Sequence, residues 1–354
     1  MRIAFFIGSM GRGGAERVIS ILANEYATKG WDVDILMLLA NRVEYELHPQ
    51  VKVISLVGKS SNYAMNALSW LTNIRKYIKS NKPDRVVSFV GRVNAVVLTA
   101  TIGLKVPIIV SERNDPKHDG RGKLMLWYCN KIYQRARAIV FQNRYEQSCF
   151  DEALKAKGVI VPNPVQVSAT KKTVSSEFVV ATAGRLNHQK NHFMLIDAMA
   201  LVHKEYPQVK CRIYGEGDLR PVLQEYIDRH ELASTVSLEG NHTDIHEKLA
   251  ECSMFVLTSE FEGLSNALIE AMMIGLPCIS TDYPGADELI SDGKNGKLVK
   301  RGDSAALAEI IIQMIEKKID TERLTERSVF DAASYKKENV LRLWHQVIAL
   351  KSAN

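Results

Sequence analysis

Short, continuous apolar runs separate the amphipathic stretches in the first half of the chain. Strands of a parallel sheet that is covered on both faces have this pattern. We therefore predict strands at 2–7, 33–39, 51–56, 85–90, 107–111, 138–143 and 158–164. Apolar positions recur at helical spacing at 15–30, which ends at Gly30, and near 66–80. This alternation of strands and helices predicts an α/β domain with a parallel sheet.

The pattern begins again after a polar segment at 165–176, where we place a linker. The second set of strands is predicted at 178–186, 209–215, 235–238, 254–258 and 277–280, and the helices at 191–206, 219–231, 244–251, 265–274, 304–318 and 334–350. We expect two doubly wound α/β domains, 1–165 and 166–330, and a terminal segment, 331–354. Ligands of such sheets bind at the carboxyl ends of the strands, and two facing sheets leave a cleft between them.

Length and composition agree with two globular domains. The 354 residues are 46% hydrophobic and 24% charged, and the five cysteines form no CxxC pair, so we expect buried thiols in a reducing compartment. The apolar region 86–110 is interrupted by Arg92 and Lys105, and the first apolar run is too short for a signal peptide. We therefore expect a protein of the cytosol or of a membrane surface.

Charge is distributed unevenly between the two predicted domains. Residues 1–165 carry a net charge of +11 and residues 166–354 a net charge of −5, which gives +6 for the whole chain. A basic half predicts an anionic partner: nucleic acid, an anionic membrane face or a phosphate-bearing substrate. The alternative is a basic surface that is simply solvated.

The stretch SEFEGLSNALIE at 259–270 places two acids around the start of a helix. Ser265 is a plausible N-cap, and the backbone N–H groups of Leu264, Ser265 and Asn266 predict an anion site at the helix start. Glu262 in the loop and Glu270 one turn inside the helix can accept hydrogen bonds from sugar or ribose hydroxyls. The alternative is a loop acid and a solvated helix face.

A second candidate site is the turn TAGRLNHQKN at 182–191, which follows a predicted strand. Arg185 offers a planar, bidentate clamp for a phosphate, and Lys190 offers a mobile point charge. Without a divalent cation, such a pair has to neutralise a leaving diphosphate. An ordinary basic turn is the alternative.

These stretches occur together with YGEGDLR (214–220), EGN (239–241), GKNGKLV (293–299) and GGAER (13–17). In this order and spacing they resemble the retaining glycosyltransferases of family 4 over nearly the whole chain. The resemblance implies the GT-B fold: two Rossmann-like domains, with the acceptor on the first and a nucleotide-sugar donor on the second. It also implies that the last helix crosses back to the first domain.

The resemblance implies a role for each matching residue. Arg185 and Lys190 bind the donor diphosphate, Glu262 contacts the donor sugar, and Glu270 binds the ribose hydroxyls. Further donor-binding positions are Gly13 and Gly14, where the backbone approaches the phosphates, and Gly240 and Asn241, where the base is held. Leu264, Ser265 and Asn266 offer backbone N–H groups to phosphate, and Gly184 and Gly263 complete the set.

Two other chemistries fit the sequence poorly. GSMGRGG at 8–14 lacks the GxGxxG spacing of a dinucleotide site, which disfavours a dehydrogenase. DVD at 32–34 could be taken for a metal-binding acid pair, but alternation along a strand explains it better. We expect no essential metal and no cofactor, because the nucleotide sugar is a substrate.

The loop SERNDPKHDGRGK at 111–123 departs from the family pattern. Many relatives have a histidine just after this strand, whereas here Arg113 follows Glu112, a variant of the branch that resembles polysaccharide and lipid-linked-oligosaccharide transferases. We expect Glu112 on the acceptor side, and Arg113 to stabilise the leaving phosphate or to bind an acceptor diphosphate. His118 is a weaker candidate.

A basic amphipathic helix is predicted within 120–138. Its apolar residues at helical spacing include Leu124 and Trp127, and its charges include Arg121, Lys123, Lys131 and Arg135. Such a helix can lie on an anionic bilayer or bind a lipid diphosphate. The alternative is a helix that packs its apolar stripe on the sheet. Nucleic acid is disfavoured, because no binding motif is present.

We therefore predict a retaining, metal-independent transferase. It moves a hexose or N-acetylhexosamine from a nucleotide-diphosphate sugar, with UDP favoured, to a glycan acceptor on a polyprenyl diphosphate, as in bacterial surface polysaccharide synthesis. We expect it in the cytoplasm, peripheral at the inner membrane face. The alternatives are a nucleotide-sugar hydrolase or epimerase of the same fold and a noncatalytic sugar-nucleotide-binding protein.

Overall fold

The computed structural model describes residues 1–11, 13–58, 63–168 and 177–349. It divides into two compact units, one formed by Met1–Pro164 with the residues from Glu338 onward, the other by Val165–Lys337. Of the linker predicted at 165–176, residues 169–176 lie outside the described residues. Each unit has a sheet with one apolar core on either side, so the predicted α/β class is confirmed.

The first unit is built on a parallel sheet. Its strands are β1 (Arg2–Ile7), β2 (Asp32–Met37), β3 (Lys52–Ser55), β4 (Arg85–Phe89), β5 (Ile108–Ser111), β6 (Ala138–Phe141) and β7 (Gly158–Ile160). They lie in the order β3-β2-β1-β4-β5-β6-β7. The helices between them are α1 (Gly14–Thr28), α2 (Tyr63–Asn81), α3 (Gly91–Ala100), α4 (Gly122–Ile132), α5 (Arg144–Ser148) and α6 (Glu152–Lys155).

The second unit repeats this plan. Its strands are β8 (Val179–Ala183), β9 (Lys210–Tyr214), β10 (Val236–Gly240), β11 (Met254–Leu257), β12 (Cys278–Thr281) and β13 (Lys297–Val299). Their order is β10-β9-β8-β11-β12-β13. Its helices are α7 (His192–Glu205), α8 (Arg220–Arg229), α9 (Ile245–Ala250), α10 (Asn266–Ile274), α11 (Ser304–Ile315) and α12 (Thr321–Ala332).

The strand order reverses direction once in each sheet. In the second unit the reversal lies between β8 and β11, which pair in parallel with Val180 opposite Met254. Because both strands run the same way, the loops that leave them emerge side by side. This switch point is where open α/β sheets bind ligands.

The last helix, α13 (Lys337–Ala349), packs on the sheet of the first unit. Its apolar face is buried, and the indole of Trp344 stacks on the ring of Phe89 with 5.6 Å between centroids. Arg85 adds a hydrogen bond of 2.9 Å from its Nε to the carbonyl oxygen of Ile348. A long amphipathic stretch at the chain end thus completes the core of the first unit.

Four helices of the described ranges were not among the sequence predictions: α3, α5, α6 and α12. Helices α5 and α6 have only five and four residues, too few for a periodic pattern. The α3 segment GRVNAVVLTA is apolar nearly all round and largely buried, so its pattern cannot be told from that of a buried strand. The α12 segment TERLTERSVFDA is mostly polar and buries few side chains. Its helical face is short, which gives a weak periodic signal.

Replacing Trp344 with alanine should lower the free energy of unfolding by about 3–5 kcal/mol, because the indole is fully buried and its removal leaves a cavity. Urea unfolding followed by far-UV circular dichroism measures the change. Gln346→Ala on the exposed face of the same helix is the control and should change it little. Equal stability of the two variants would show that α13 contributes no packing energy.

His192, at the start of α7, should make the fold sensitive to acid. Burial, and to a lesser extent Lys190, lowers its pKa to about 4. Below about pH 6.5 the imidazole is protonated in the unfolded chain but stays neutral in the native protein. The free energy of unfolding therefore falls as the pH drops toward 4.

His192→Leu cannot titrate, so its loss of stability between pH 7 and pH 5 should be smaller than that of the wild type by about 2 kcal/mol. Urea unfolding of both proteins at the two pH values measures the difference. An equal loss in both proteins would exclude His192 as the acid-sensitive group.

Candidate active site

Two loops at the carboxyl edge of the second sheet are tied together by several hydrogen bonds. One loop follows β8 and ends in the short 3₁₀ turn His188–Lys190, and the other follows β11. The N–H of Glu260 donates to the carbonyl of Gln189 over 2.8 Å, and the hydroxyl of Thr258 donates to the carbonyl of Lys190 over 3.0 Å. The side-chain amide of Asn191 adds a bond of 2.6 Å to Glu260 Oε1. The two stretches that the sequence singled out separately therefore form one site.

The centre of this site is a buried carboxylate surrounded by donors. Glu262 is 7% exposed, and its Oε1 lies 2.5 Å from Lys190 Nζ. Ser259 Oγ donates to the same oxygen over 2.7 Å. Gln189 Nε2 donates to the carbonyl of Phe261 over 2.9 Å and lies 3.4 Å from Glu262 Oε2. A carboxylate held by several donors is fixed in place.

Glycines leave this edge of the sheet without side chains at three positions. A Cβ on Gly184 would lie only 3.0 Å from Lys190 Cε, so the lysine side chain can cross the loop because residue 184 has none. Gly215 has φ +135°, and a Cβ there would overlap the carbonyl oxygen of Gly184. The N–H of Gly215 donates to the carbonyl of Gly240 over 2.7 Å, and Gly240 has φ +77°. The ends of β8, β9 and β10 are thereby brought close together.

Helix α10 starts next to Glu262. Ser265 is its N-cap, as predicted, and its side chain accepts the N–H of Leu268 over 3.4 Å. Gly263, Leu264 and Asn266, which surround the cap, are partly exposed. The positive end of the helix dipole therefore follows directly on the loop of Glu262, the partner of Lys190, and both the dipole and the ammonium favour an anion.

Glu270 is buried in the second turn of α10 with 9% exposure. Its Oε2 lies 3.6 Å from Nε2 of His246 on α9. A solvated helix face, the alternative considered for this residue, is therefore wrong. A buried acid one turn inside the helix is placed to accept hydrogen bonds from a ligand that lies along the sheet edge.

Two further predicted residues present their side chains to solvent. Arg185 is exposed at the tip of the loop after β8, and within the described part of the chain no carboxylate forms an ion pair with its guanidinium. Asn241 is exposed directly after β10. Both are accessible to a ligand on the second unit.

Gly13 and Gly14 lie at the start of α1 in the first unit. Gly13 has extended backbone that any residue can adopt, with φ −164°. The carboxylate of Glu16 occupies the space that a Cβ on Gly13 would fill. The absence of a side chain at Gly13 therefore makes room for Glu16, and the predicted approach of phosphates remains a prediction.

Arg113 is buried in the first unit. Its Nε donates to Ser111 Oγ over 2.7 Å and its Nη1 to Asn163 Oδ1 over 2.9 Å. The guanidinium lies over the rings of Phe89 and Trp344, at 5.5 and 5.3 Å, and burial lowers its pKa to about 10. These contacts give Arg113 a role in packing α13. They lend no support to its predicted role at a phosphate, which stays a prediction.

Glu112 and Arg121 form a buried bidentate ion pair, with distances of 3.1 and 2.5 Å between guanidinium and carboxylate. Asp119 and the hydroxyl of Tyr133 complete the cluster. The Arg121 side chain is only 1% exposed, so the expectation that it adds charge to a membrane-facing surface is wrong. The pair instead anchors the start of α4 to the sheet.

The outer face of α4 is apolar and basic. Leu124 is 79% exposed and Trp127 57% exposed. Lys123, Lys131 and Arg135 are exposed on the same segment. The alternative in which the whole apolar stripe packs on the sheet therefore holds for Ile132 and Tyr133, which are buried, but fails for Leu124 and Trp127.

Metal-binding and membrane-spanning features were also sought. In the ranges that the structure describes, no three His, Cys, Asp or Glu side chains are grouped to hold a metal ion. None of the helices assigned in these ranges combines the length and hydropathy needed to cross a bilayer.

Sequence reasoning missed three side chains of the site: Gln189, Ser259 and His246. Gln189 lies inside the stretch that was singled out, next to Lys190, but nothing in the sequence shows that its amide points across to another loop. Ser259 is the first residue of the quoted acidic stretch. His246 is distant from both stretches in sequence and carries no local signal.

Two protein families match consecutive parts of the chain. Residues 12–169 match the family described as Glycosyltransferase Family 4, and residues 167–329 match the family described as Glycosyl transferases group 1. A Campylobacter jejuni GalNAc-alpha-(1->4)-GalNAc-alpha-(1->3)-diNAcBac-PP-undecaprenol alpha-1,4-N-acetyl-D-galactosaminyltransferase is 27% identical over 99% of this chain and 98% of its own. A second Campylobacter jejuni enzyme, an N-acetylgalactosamine-N,N'-diacetylbacillosaminyl-diphospho-undecaprenol 4-alpha-N-acetylgalactosaminyltransferase, is 27% identical over 89% of this chain and 90% of its own.

Solved structures share the fold. Anabaena Alr3699/HepE, in complex with UDP and glucose, has a TM-score of 0.82 at 20% identity, covering 99% of this chain and 100% of its own. The lipopolysaccharide outer core galactosyltransferase WaaB has a TM-score of 0.80 at 19% identity, covering 98% and 99%. With the two family matches, which follow one another along the chain, these findings show that the protein is a glycosyltransferase of the GT-B fold, with a Family 4 amino-terminal half and a group 1 carboxyl-terminal half.

Proposed function

We propose that this glycosyltransferase moves a hexose or N-acetylhexosamine from a UDP-sugar to a glycan carried on a polyprenyl diphosphate, with retention of configuration. The observation that carries the donor half of the proposal is the joined site around Glu262. It combines two cations, a helix start and two buried acids at one sheet edge. The complex of Anabaena Alr3699/HepE with UDP and glucose supports a uridine nucleotide.

Each part of the site has a task in donor binding. Lys190, the start of α10 and the exposed Arg185 offset the charge of the diphosphate. Glu262, fixed by Ser259 and Gln189, accepts hydrogen bonds from the hydroxyls of the sugar. Glu270 accepts those of the ribose.

Retention follows if the acceptor attacks from the face that the leaving diphosphate vacates. The departing phosphate oxygen then takes the proton of the acceptor hydroxyl, the glycosidic bond to the diphosphate breaks, and the new bond forms on the same face. The contribution of the protein is to position the reactants and to stabilise the developing charge on the diphosphate. Because Arg185 and Lys190 supply that stabilisation, the reaction needs no divalent cation.

The lipid-linked acceptor is supported by two relatives whose names specify undecaprenol-linked substrates. We place the enzyme at the cytoplasmic face of the membrane, where its active site can reach a lipid-linked acceptor. The face of α4 formed by Leu124 and Trp127, with Lys123, Lys131 and Arg135, suits an anionic bilayer: indole and leucine enter the interface while the cations meet lipid phosphates.

The alternative of a nucleotide-sugar hydrolase or epimerase needs an acid or base near Glu112. That carboxylate is fully buried in its ion pair with Arg121, which disfavours such a role. A noncatalytic sugar-binding protein would have no need to keep both cations and both acids in one site. These observations leave the transferase as the function that the geometry supports best.

The function is tested by incubating the EDTA-treated protein with UDP-, GDP- and ADP-sugars, with and without a polyprenyl-diphosphate-linked glycan. We expect one UDP-sugar to react, only with the lipid-linked acceptor present, and NMR of the product to show the anomeric configuration of the donor. Glu262→Ala and Arg185→Ala should each lower kcat/KM at least about a hundredfold, since each removes a charged contact with the donor.

Gln346→Ala, on the exposed face of α13, is the control for the transfer assay and should keep full activity. Sugar release without an acceptor would replace the transferase by the hydrolase. Activity that EDTA abolishes and Mg²⁺ restores would refute the metal-free mechanism. An inverted product would refute retention.

Membrane binding is tested by flotation with vesicles that contain anionic phospholipid. Reversing Lys123, Lys131 and Arg135 to glutamate should release most of the protein, because each basic residue near the surface contributes about 1 kcal/mol. Trp127→Ser should weaken binding further at high salt. The matched control reverses Lys204, Lys294 and Lys317, which are exposed on the second unit. Equal flotation of the two triple variants would refute a membrane face on α4.

A further inference from the structure

A histidine that lies outside both sequence stretches of the site touches one of the two buried acids. We propose that His246 is a positioning residue for Glu270: its imidazole orients the carboxylate toward the ribose hydroxyls of the donor. This inference rests on the proposed donor site and names a residue that neither the sequence motifs nor the family resemblance assign.

The two side chains belong to neighbouring helices. His246 lies near the start of α9 (Ile245–Ala250), and Glu270 lies on α10 (Asn266–Ile274). The atoms Nε2 and Oε2 are 3.6 Å apart, and the side chains are 16% and 12% exposed. At this separation and burial, attraction between an N–H dipole and a carboxylate is much stronger than in open solvent.

The tautomer of the neutral His246 ring is set by its contacts with Ser168. The backbone N–H of Ser168 donates to Nδ1 over 3.4 Å, and its hydroxyl lies 3.2 Å from the same nitrogen. A backbone N–H can only donate, so Nδ1 accepts and the neutral ring is protonated at Nε2. That N–H faces Glu270. The ring proton therefore lies on the nitrogen that is 3.6 Å from the carboxylate.

This arrangement predicts an effect on donor binding and none on the chemical step. His246 reaches the donor only through Glu270, whose expected partner is the ribose. A carboxylate held in one orientation loses less conformational freedom when a diol binds to it. A loosened carboxylate should therefore raise KM for the donor while kcat stays nearly constant.

Two amide variants separate positioning from folding. In His246→Gln the amide nitrogen takes the place of Nε2 and still reaches Glu270. In His246→Asn the side chain is one methylene shorter, so it can accept from Ser168 but cannot reach the carboxylate. Both variants are polar and similar in size, so they should fold alike. His230→Asn, at the exposed end of α8, is the control.

The test measures affinity for UDP and for 2′,3′-dideoxy-UDP by calorimetry, together with kcat and KM for the UDP-sugar. For His246→Asn we expect about a tenfold loss of affinity for UDP and about a tenfold higher KM, with kcat within twofold. Its affinity for the dideoxy nucleotide should equal that of the wild type, because the contact that the histidine supports is absent there. His246→Gln and His230→Asn should behave like the wild type.

Other results would overturn the inference. An equal loss of affinity for both nucleotides in His246→Asn would show that the residue acts on something other than the ribose hydroxyls. Unchanged UDP affinity in His246→Asn, or a loss as large in His246→Gln, would remove the positioning role while leaving the donor site intact. A wild-type protein that binds neither nucleotide and transfers no sugar would instead refute the proposed function, and this inference with it.

Discussion

The ion pair between Lys190 and Glu262 is the contact around which the candidate site is organised. It joins the loops after β8 and β11, which are far apart in sequence and adjacent only because these two strands are neighbours where the strand order reverses. Burying a carboxylate costs several kcal/mol unless donors surround it, and Lys190, Ser259 and Gln189 surround this one. The need to satisfy that charge fixes both loops, and with them the start of α10.

The two cations of the site have different surroundings. Lys190 is paired with Glu262, so an anionic ligand would share the ammonium with that carboxylate. Three glycines at the ends of β8, β9 and β10 leave the room in which such a ligand can approach the backbone. Arg185, by contrast, is exposed and accessible to an anion. The two cations look equivalent in sequence, but they differ in burial and in ion pairing.

The first unit uses its buried charges for another purpose. The Glu112–Arg121 pair anchors the start of α4, and Arg113 donates to the carbonyl oxygen of Val161 while its guanidinium lies over the indole of Trp344 on α13. These arginines support packing, whereas Lys123, Lys131 and Arg135 stay exposed on α4 and the turn after it, with Leu124 and Trp127. The net positive charge of this half is thus divided between an interior that holds the fold and a surface that can meet an anionic partner.

The sequence by itself determined the fold class, the positions of most strands, the cap at Ser265 and the pairing of basic and acidic stretches, because apolar periodicity and capping chemistry act between residues close along the chain. It left α3 undetected, and it treated Arg113, Arg121 and Glu112 as accessible. Whether a charged side chain is buried depends on what packs over it, here α13 and Tyr133, and no local pattern contains that information. Only the tertiary structure decided that Gln189 donates a hydrogen bond to the loop of Glu262 and that His246 lies next to Glu270. The residues of each contact are far apart in sequence, and they become neighbours only when the sheet is assembled.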